Sequence, residues 1–328
     1  MKRLVLFAGF DKDGVVDDYV LFYLRHLSEL ADIIYVADCE MSSTELAKLA
    51  PYTIHAVAAR HGEYDFGSYK RGFIYAKQNA LLSHYDELFL CNDSVYLIDG
   101  EGLKNIVVQM ERERESDVWG LFRHNEWQSG GIKEHLQSWF VALKKSVFLR
   151  KEFENFMLQV TQERDRNAII ERYEIGLSVL LRGLGFSLNA PFDSTLMDKV
   201  INFDVPRSSP LILQARGFPF LKIAAITVIK LPLKHLKRLV CAAKCDKMLI
   251  INHLKRTQKY EPFFVKRYKE FSLKLAFVRL YSEYSGVSLK YRIVLRAFEK
   301  KIFSFSLPVP KRLLWFDSQA TLKALETC

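Results

Sequence analysis

The chain has 328 residues, 49% of them apolar, and a formal net charge of +10. A core of ordinary size is therefore available, and global disorder is excluded. No run of 18 apolar residues occurs, and the longest candidate, residues 223–233, is broken by Lys230 and Pro232, so no ordinary membrane-spanning helix is expected.

The short apolar run after Lys2-Arg3 lacks a small-residue cleavage site, so residues 4–9 read as a first buried strand rather than a signal segment. Apolar residues at Tyr19, Val20, Tyr23, Leu24 and Leu27 predict a helix over 17–29. A strand at 33–37, a helix at 43–50 capped by Ser42 or Ser43, and a strand at 52–58 follow. Next come a helix over 68–83 with Ser68 as its cap, a strand at 88–91 and a helix at 102–115. Strands at 118–122 and 139–143 and helices at 146–162 and 171–184 complete the series. Strands alternating with helices predict an α/β fold, a mostly parallel sheet covered on both faces, over residues 1–216. Residues 187–217, with Pro191, Pro206 and Pro210, read as a loop region closing that domain.

Residues 217–328 change in character. Lys and Arg interleave with Phe, Tyr, Leu and Ile, and the spacing reads as a basic, mainly helical region. Residues 211–328 hold 24 Lys and Arg against seven Asp and Glu, whereas residues 1–210 hold 24 against 31. That asymmetry predicts an anionic partner for the C-terminal part. No nucleic-acid motif is present, so an anionic membrane surface is preferred over nucleic acid. The five cysteines are odd in number and do not suggest a disulfide framework. Cys241 and Cys245 read as buried small side chains, and a reducing cytosol is the expected compartment.

Three segments carry candidate chemistry. The tip Asn92-Asp93-Ser94 lies beyond an apolar strand, where open α/β sheets bind ligands and a carboxylate can hold a divalent cation against a diphosphate. Asp93 as a turn cap is the competing reading. The loop 9–14, with Asp11 between two glycines, lets a nucleotide approach the backbone, though a plain turn fits it equally. Residues 60–72 combine Asp65, Gly67, Ser68, Lys70 and Arg71 with aromatic rings, a set suited to base, ribose and phosphate. Trp127, His135 and Gln137, in segments rich in rings and hydrogen-bonding groups, are candidates for holding a sugar acceptor. Trp139 could be a second platform or part of the core.

In their order these pieces resemble the rhamnan synthesis protein F-like family of bacterial polysaccharide glycosyltransferases. The matching blocks are 64–72, 85–96, 135–140, 173–178, 217–222 and 251–254, within roughly residues 2–256. The resemblance implies a GT-A type nucleotide-sugar fold and transfer of a sugar, often rhamnose, from a dTDP-rhamnose-like donor to a lipid-linked O-antigen, capsule or rhamnan glycan. It implies work at the cytoplasmic face of the plasma membrane, with the protein bound peripherally. Where the fold usually carries an Asp-x-Asp triplet, this chain has Cys91-Asn92-Asp93, which leaves dependence on Mg²⁺ or Mn²⁺ open. By position in the family, His253 is a possible second metal ligand beside Asp93, and Glu174 is the expected general base of an inverting transfer, with Glu171 as a competitor. The degraded triplet also admits a non-catalytic membrane-associated assembly protein that keeps the fold.

Overall fold

The structure is a computed structural model and describes residues 1–113, 116–128, 131–194, 210–228, 233–257, 263–265, 272–275, 278–285, 290–297, 300–308, 314–316 and 318–327. It divides into two compact units, Met1–Val205 with Gly217–Phe220, and Pro206–Arg216 with Leu221–Cys328.

The first unit is built on strands β1 (Arg3–Gly9), β2 (Asp32–Ala37), β3 (His55–Ala58), β4 (Glu87–Asn92), β5 (Val95–Leu97), β6 (Val118–Gly120), β7 (Phe122–Gln128), β8 (Gly131–Leu136), β9 (Phe140–Lys144), β10 (Leu188–Asn189) and β11 (Phe192–Asp193). Seven of these form the central sheet in the order β10-β6-β9-β4-β1-β2-β3. β9 runs antiparallel to both of its neighbours, whereas β4, β1, β2 and β3 are mutually parallel. All seven residues of β1 are buried, as a strand covered on both faces requires. The helices are α1 (Asp18–Ser28), α2 (Ser43–Ala47), α3 (Tyr64–Gln78), α4 (Gly100–Arg112), α5 (Lys145–Phe148), α6 (Lys151–Leu158), α7 (Arg166–Ile169) and α8 (Gly176–Gly183). Between α7 and α8 the chain makes a π-helical segment, Ile170–Ile175.

Period-two alternation sends the strand side chains to opposite faces. On one face Leu4, Leu6, Ile34, Leu88, Leu90 and Leu143 pack with Phe66, Tyr69 and Phe73 of α3 and with Phe153 and Met157 of α6. On the other, Phe7 lies edge-on to Tyr23 of α1 and stacks on Tyr35, and Phe89 meets Trp119. The buried pair Arg3 Nε to Glu87 Oε2 (2.8 Å) closes the amino edge of the sheet, opposite the edge that carries the candidate site.

Three expectations change here. The third helix begins at Tyr64 rather than Ser68, because the Asp38 carboxylate collects the backbone N–H groups of His61, Gly62 and Tyr64 and so organises the helix start four residues earlier. The helix expected at 146–162 is two short ones, α5 and α6, and the one at 171–184 is divided by the π segment.

Along the chain, β12 (Phe220–Lys222) leads from the first unit into the second. The second unit contains α9 (Pro210–Gln214), α10 (Ile223–Thr227), α11 (Leu233–Cys241), α12 (Lys247–Thr257) and α13 (Ser318–Glu326). Leu236, Leu239, Ile250, Ile251, Leu254 and Leu325 are buried within it. Its remaining described residues are strands, not the helices expected there. β13 (Phe263–Val265) pairs with β18 (Leu314–Phe316), and β14 (Ser272–Leu275), β15 (Val278–Ser285), β16 (Lys290–Ala297) and β17 (Lys300–Pro308) form an antiparallel meander. The physical reason is a two-residue period: Tyr291, Ile293 and Leu295 alternate with Arg292, Val294 and Arg296. Cys241 is exposed and disulfide-bonded, against the expectation of a buried free thiol. Cys245 is half-buried, and burial pushes its thiol up to about 11. No helix among the described residues is long and apolar enough to cross a membrane.

Candidate functional site

The carboxyl edge of the central sheet gathers the ends of β1, β2 and β4 and the start of the antiparallel β9, where Cys91 pairs with Phe140. Asp93, just past β4, accepts the Phe10 backbone N–H at Oδ2 (2.7 Å), and its own N–H donates to the Ala8 carbonyl. The tip of β4 is thus sewn to the loop after β1. Burial pushes the Asp93 carboxyl well up; the Phe10 hydrogen bond opposes this, and the charges of Asp65 and Asp11 add to it. The neighbouring Asn92, buried, donates from Nδ2 to Asp65 Oδ2 (2.7 Å), and its Oδ1 accepts from the Ser94 N–H and hydroxyl. Asp11 points its carboxylate at the N–H groups of Asp13 and Val15, so its own turn consumes Oδ1.

The loop between β3 and α3 is built around Asp38, which the sequence reading did not single out. This carboxylate follows β2 and is 5% exposed, yet it accepts three backbone N–H bonds. The only sequence signal was position, a carboxylate directly after a strand of buried residues. Tyr64, the next donor, has φ +55, a left-handed conformation costly for a bulky residue, and its ring is exposed beside Asp65.

His61 stands between Asp38 and Ser68 in an order that imitates a nucleophilic triad: Nδ1 is 3.6 Å from Asp38 Oδ1, and Nε2 is 3.0 Å from Ser68 Oγ. The tautomer is the wrong one. Nδ1 accepts the Glu63 N–H, so in the neutral ring the proton sits on Nε2 and is donated to Ser68. Burial lowers the His61 pKa and favours that neutral ring. Ser68 is itself buried and cannot present a nucleophile.

The structure therefore gives Gly67 and Ser68 a packing role. A Cβ on Gly67 would lie 2.3 Å from the Glu63 Cβ and 2.8 Å from the His61 ring, so only glycine lets the helix start close onto His61. Lys70 was expected to offset phosphate charge. Its ammonium instead reaches Glu63 Oε1 (3.2 Å) and the Val160 carbonyl (2.6 Å), and Arg71 also holds Glu63. Burial pushes the Glu63 carboxyl up, but the Arg71 and Lys70 hydrogen bonds outweigh it and leave the group lowered.

Glu174 occupies the π-helical segment. Its Oε2 accepts the Ser138 backbone N–H (2.8 Å) and the Ser138 hydroxyl, and its Oε1 is 3.5 Å from Nε2 of the buried His135. Glu171, the competitor, is exposed on the outer side. Ser138 is tied to α3 by the Tyr69 hydroxyl, which donates to its carbonyl (3.0 Å). The Tyr69 hydroxyl is pushed well up by burial and then by Asp65, Cys91, Glu174 and Asp93. Asp65, Asp93 and Glu174 are thus all within electrostatic reach of this buried phenol.

The acceptor candidates divide. His135 is in this cluster, edge-on to the ring of His124 at 5.3 Å. Gln137 is buried and accepts the Trp139 indole N–H at Oε1 (2.7 Å). Trp139, 2% exposed, packs on Phe218 and Phe220 and belongs to the core. Trp127 falls in β7, and its side chain lies outside what the structure describes. His253, the proposed second metal ligand, is buried on α12 in the second unit, where its carbonyl accepts the Thr257 hydroxyl.

Among solved structures, the chain is similar to a 4-diphosphocytidyl-2C-methyl-D-erythritol synthase (11% identity, TM-score 0.38, covering 61% of this chain and 93% of that one). It is also similar to a mannose-1-phosphate geranyltransferase from Thermus thermophilus (12%, 0.32, 57% and 68%). A third likeness is to the Mn/GDP form of core-mannan synthase A from Aspergillus fumigatus (10%, 0.33, 54% and 69%). At these scores the likeness is distant. No curated protein matches the sequence at a significant level. The family model for rhamnan synthesis protein F matches residues 33–279, well over half of the chain; the match includes Asp38, Asp65, Asp93 and Glu174, whereas Asp11 precedes it. The chain belongs to the rhamnan synthesis protein F family.

Proposed function

We propose that the first unit is a glycosyltransferase of inverting type that takes a sugar from a nucleotide-sugar donor, dTDP-rhamnose or a close analogue, and adds it to a lipid-linked glycan. The observation that carries this reading is a chain of contacts at the carboxyl edge of a mostly parallel sheet: Asp93 holds the loop after β1, Asn92 beside it holds Asp65, and Tyr69 of the same helix holds Ser138, which binds Glu174; such edges bind ligands. Family membership supports it.

In this reading the donor diphosphate lies at the β1 and β4 tips, against the backbone of Phe10 and Asp11, with Asp65 on the ribose side. The bond from the anomeric carbon to the diphosphate oxygen breaks as the acceptor oxygen attacks from the opposite face. The acceptor proton passes to Glu174, and the bonding electrons leave with the nucleoside diphosphate. Asp93 and Asp65 would hold a divalent cation only together with donor phosphate oxygens, since no group of three ligating side chains gathers among the described residues. Such a cation would neutralise charge on the leaving diphosphate. The strongly basic second unit would lie against anionic lipid.

A second reading, an assembly protein without chemistry, is favoured by one observation: Cys91, the first position of the triplet, is a fully buried strand residue that offers no ligand. Titration calorimetry with dTDP and Mn²⁺, followed by incubation with dTDP-rhamnose and a lipid-linked acceptor, separates the two. Saturable heat and release of dTDP are expected. The absence of both would leave the assembly protein.

A further inference from the structure

We infer that Ser138 is a positioning residue for the Glu174 carboxylate, and that Tyr69 fixes Ser138 in turn from the helix that carries Asp65. The inference rests on the reading of Glu174 as base.

Ser138 precedes β9 and is 7% exposed, so its polar atoms must be partnered inside the protein. Both of its donors converge on one oxygen, Glu174 Oε2: the backbone N–H at 2.8 Å and the hydroxyl at short range. Two donors on one carboxylate oxygen fix the plane of the group and stabilise its ionised form. The lone pairs of Oε1 then point the other way, with the His135 ring at 3.5 Å. Glu174 and Ser138 are 36 residues apart, and Glu174 reaches Ser138 from the π segment.

The second half of the clamp is Tyr69. Its hydroxyl donates to the Ser138 carbonyl at 3.0 Å, and the side chain is fully buried. Asp65 and Tyr69 are four residues apart and share a face of α3. Asp65 is held by Asn92, beside Asp93, while Tyr69 holds Ser138, beside Glu174. One helical turn therefore spaces the donor-side carboxylates from the acceptor-side base. Among the described residues, the titratable groups facing Glu174 include His135 from β8, backed by His124 from β7, and Tyr69 from α3.

The experiment uses the full chain labelled with ¹³C at glutamate Cδ, the Glu174 resonance being identified by its loss in Glu174→Gln. Removing the Ser138 hydroxyl withdraws a donor from the ionised form, so in Ser138→Ala this resonance should titrate at higher pH than in the unsubstituted protein. Ser138→Thr should restore the original midpoint. Tyr69→Phe should move it in the same direction as Ser138→Ala, by less. With dTDP-rhamnose as probe, kcat for sugar release should fall by up to about 10²-fold in Ser138→Ala, with little change in KM, and the acid limb of kcat should follow the carboxyl upward. Superimposed titrations of the unsubstituted protein and Ser138→Ala would overturn the inference. A shifted titration with unchanged kcat would uphold the clamp and overturn Glu174 as the base.

Discussion

The Asn92 side-chain amide donates to the Asp65 carboxylate across 2.7 Å, joining the tip of β4 to the first turn of α3. Asn92 is 2% exposed, so its polar atoms have no recourse to water. Asn92→Ala should leave Asp65 and Ser94 short of partners and cost about 1–3 kcal/mol in urea denaturation. Nucleotide affinity should fall in the same protein, because Asp65 would lose its orientation. An unchanged denaturation midpoint would show that the bond is dispensable.

Asp93 stands in a place that disfavours its own charge. Its folded pKa is raised above the unfolded value, so it contributes stability at low pH that is lost as pH rises through the folded value. Asp93→Asn keeps an acceptor for the Phe10 N–H and removes the charge. The variant should melt a few degrees higher than the natural protein at pH 7, with the difference closing below about pH 4. It should also lose metal-dependent binding of dTDP, a trade of function against stability. Calorimetric melting at pH 7 and pH 3.5 checks the sign.

Glu63 has the opposite sign. Its carboxyl is lowered in the fold, so its stabilisation is present above the unfolded value and lost as pH falls through the folded one. Glu63→Gln should cost on the order of 1–3 kcal/mol at pH 7, and the cost should shrink as pH falls below about 4 and vanish once the pH lies under the lowered folded value. Parallel denaturation curves at the two pH values provide the test. The cost should fall on stability, not on nucleotide affinity, because Lys70 and Arg71 are spent on Glu63.

Asp38 tests whether the loop before α3 is built or merely tolerated. Asp38→Ala strands the N–H groups of His61, Gly62 and Tyr64, and should destabilise by about 3 kcal/mol or more. Asp38→Asn, which retains one acceptor oxygen, should cost clearly less. Hydrogen exchange should show opening confined to the start of α3 in the Asn variant.

The two glutamates near the π segment should differ sharply. Glu174→Gln should lower kcat by roughly 10²–10⁴-fold with donor affinity kept, as the loss of a general base requires. Glu171→Gln should stay near the natural rate, since that side chain is exposed. Comparable losses in both would remove Glu174 from its role.

Much of the sheet unit was legible because its signals are local. A buried strand ending in Asn92-Asp93 places a carboxylate at a sheet edge whatever the rest of the chain does, and alternating strands and helices leave few other topologies. The family match follows from blocks of that kind. Three-dimensional contact decided the remainder. Lys70 looks like a phosphate ligand in one dimension, but Glu63 and the Val160 carbonyl capture it. Trp139 looks like a sugar platform until Phe218 and Phe220 close over it. Residues 290–308 were read as helical from their spacing, whereas they form β16 and β17, because a strand's partners lie in other segments. From the residues alone, then, came the sheet edge proposed to bind and the acids available to it. Which acid is clamped, and by what, depended on Ser138 and Tyr69 arriving from distant positions, since hydrogen-bond geometry is set by packing and leaves no periodic trace in the chain.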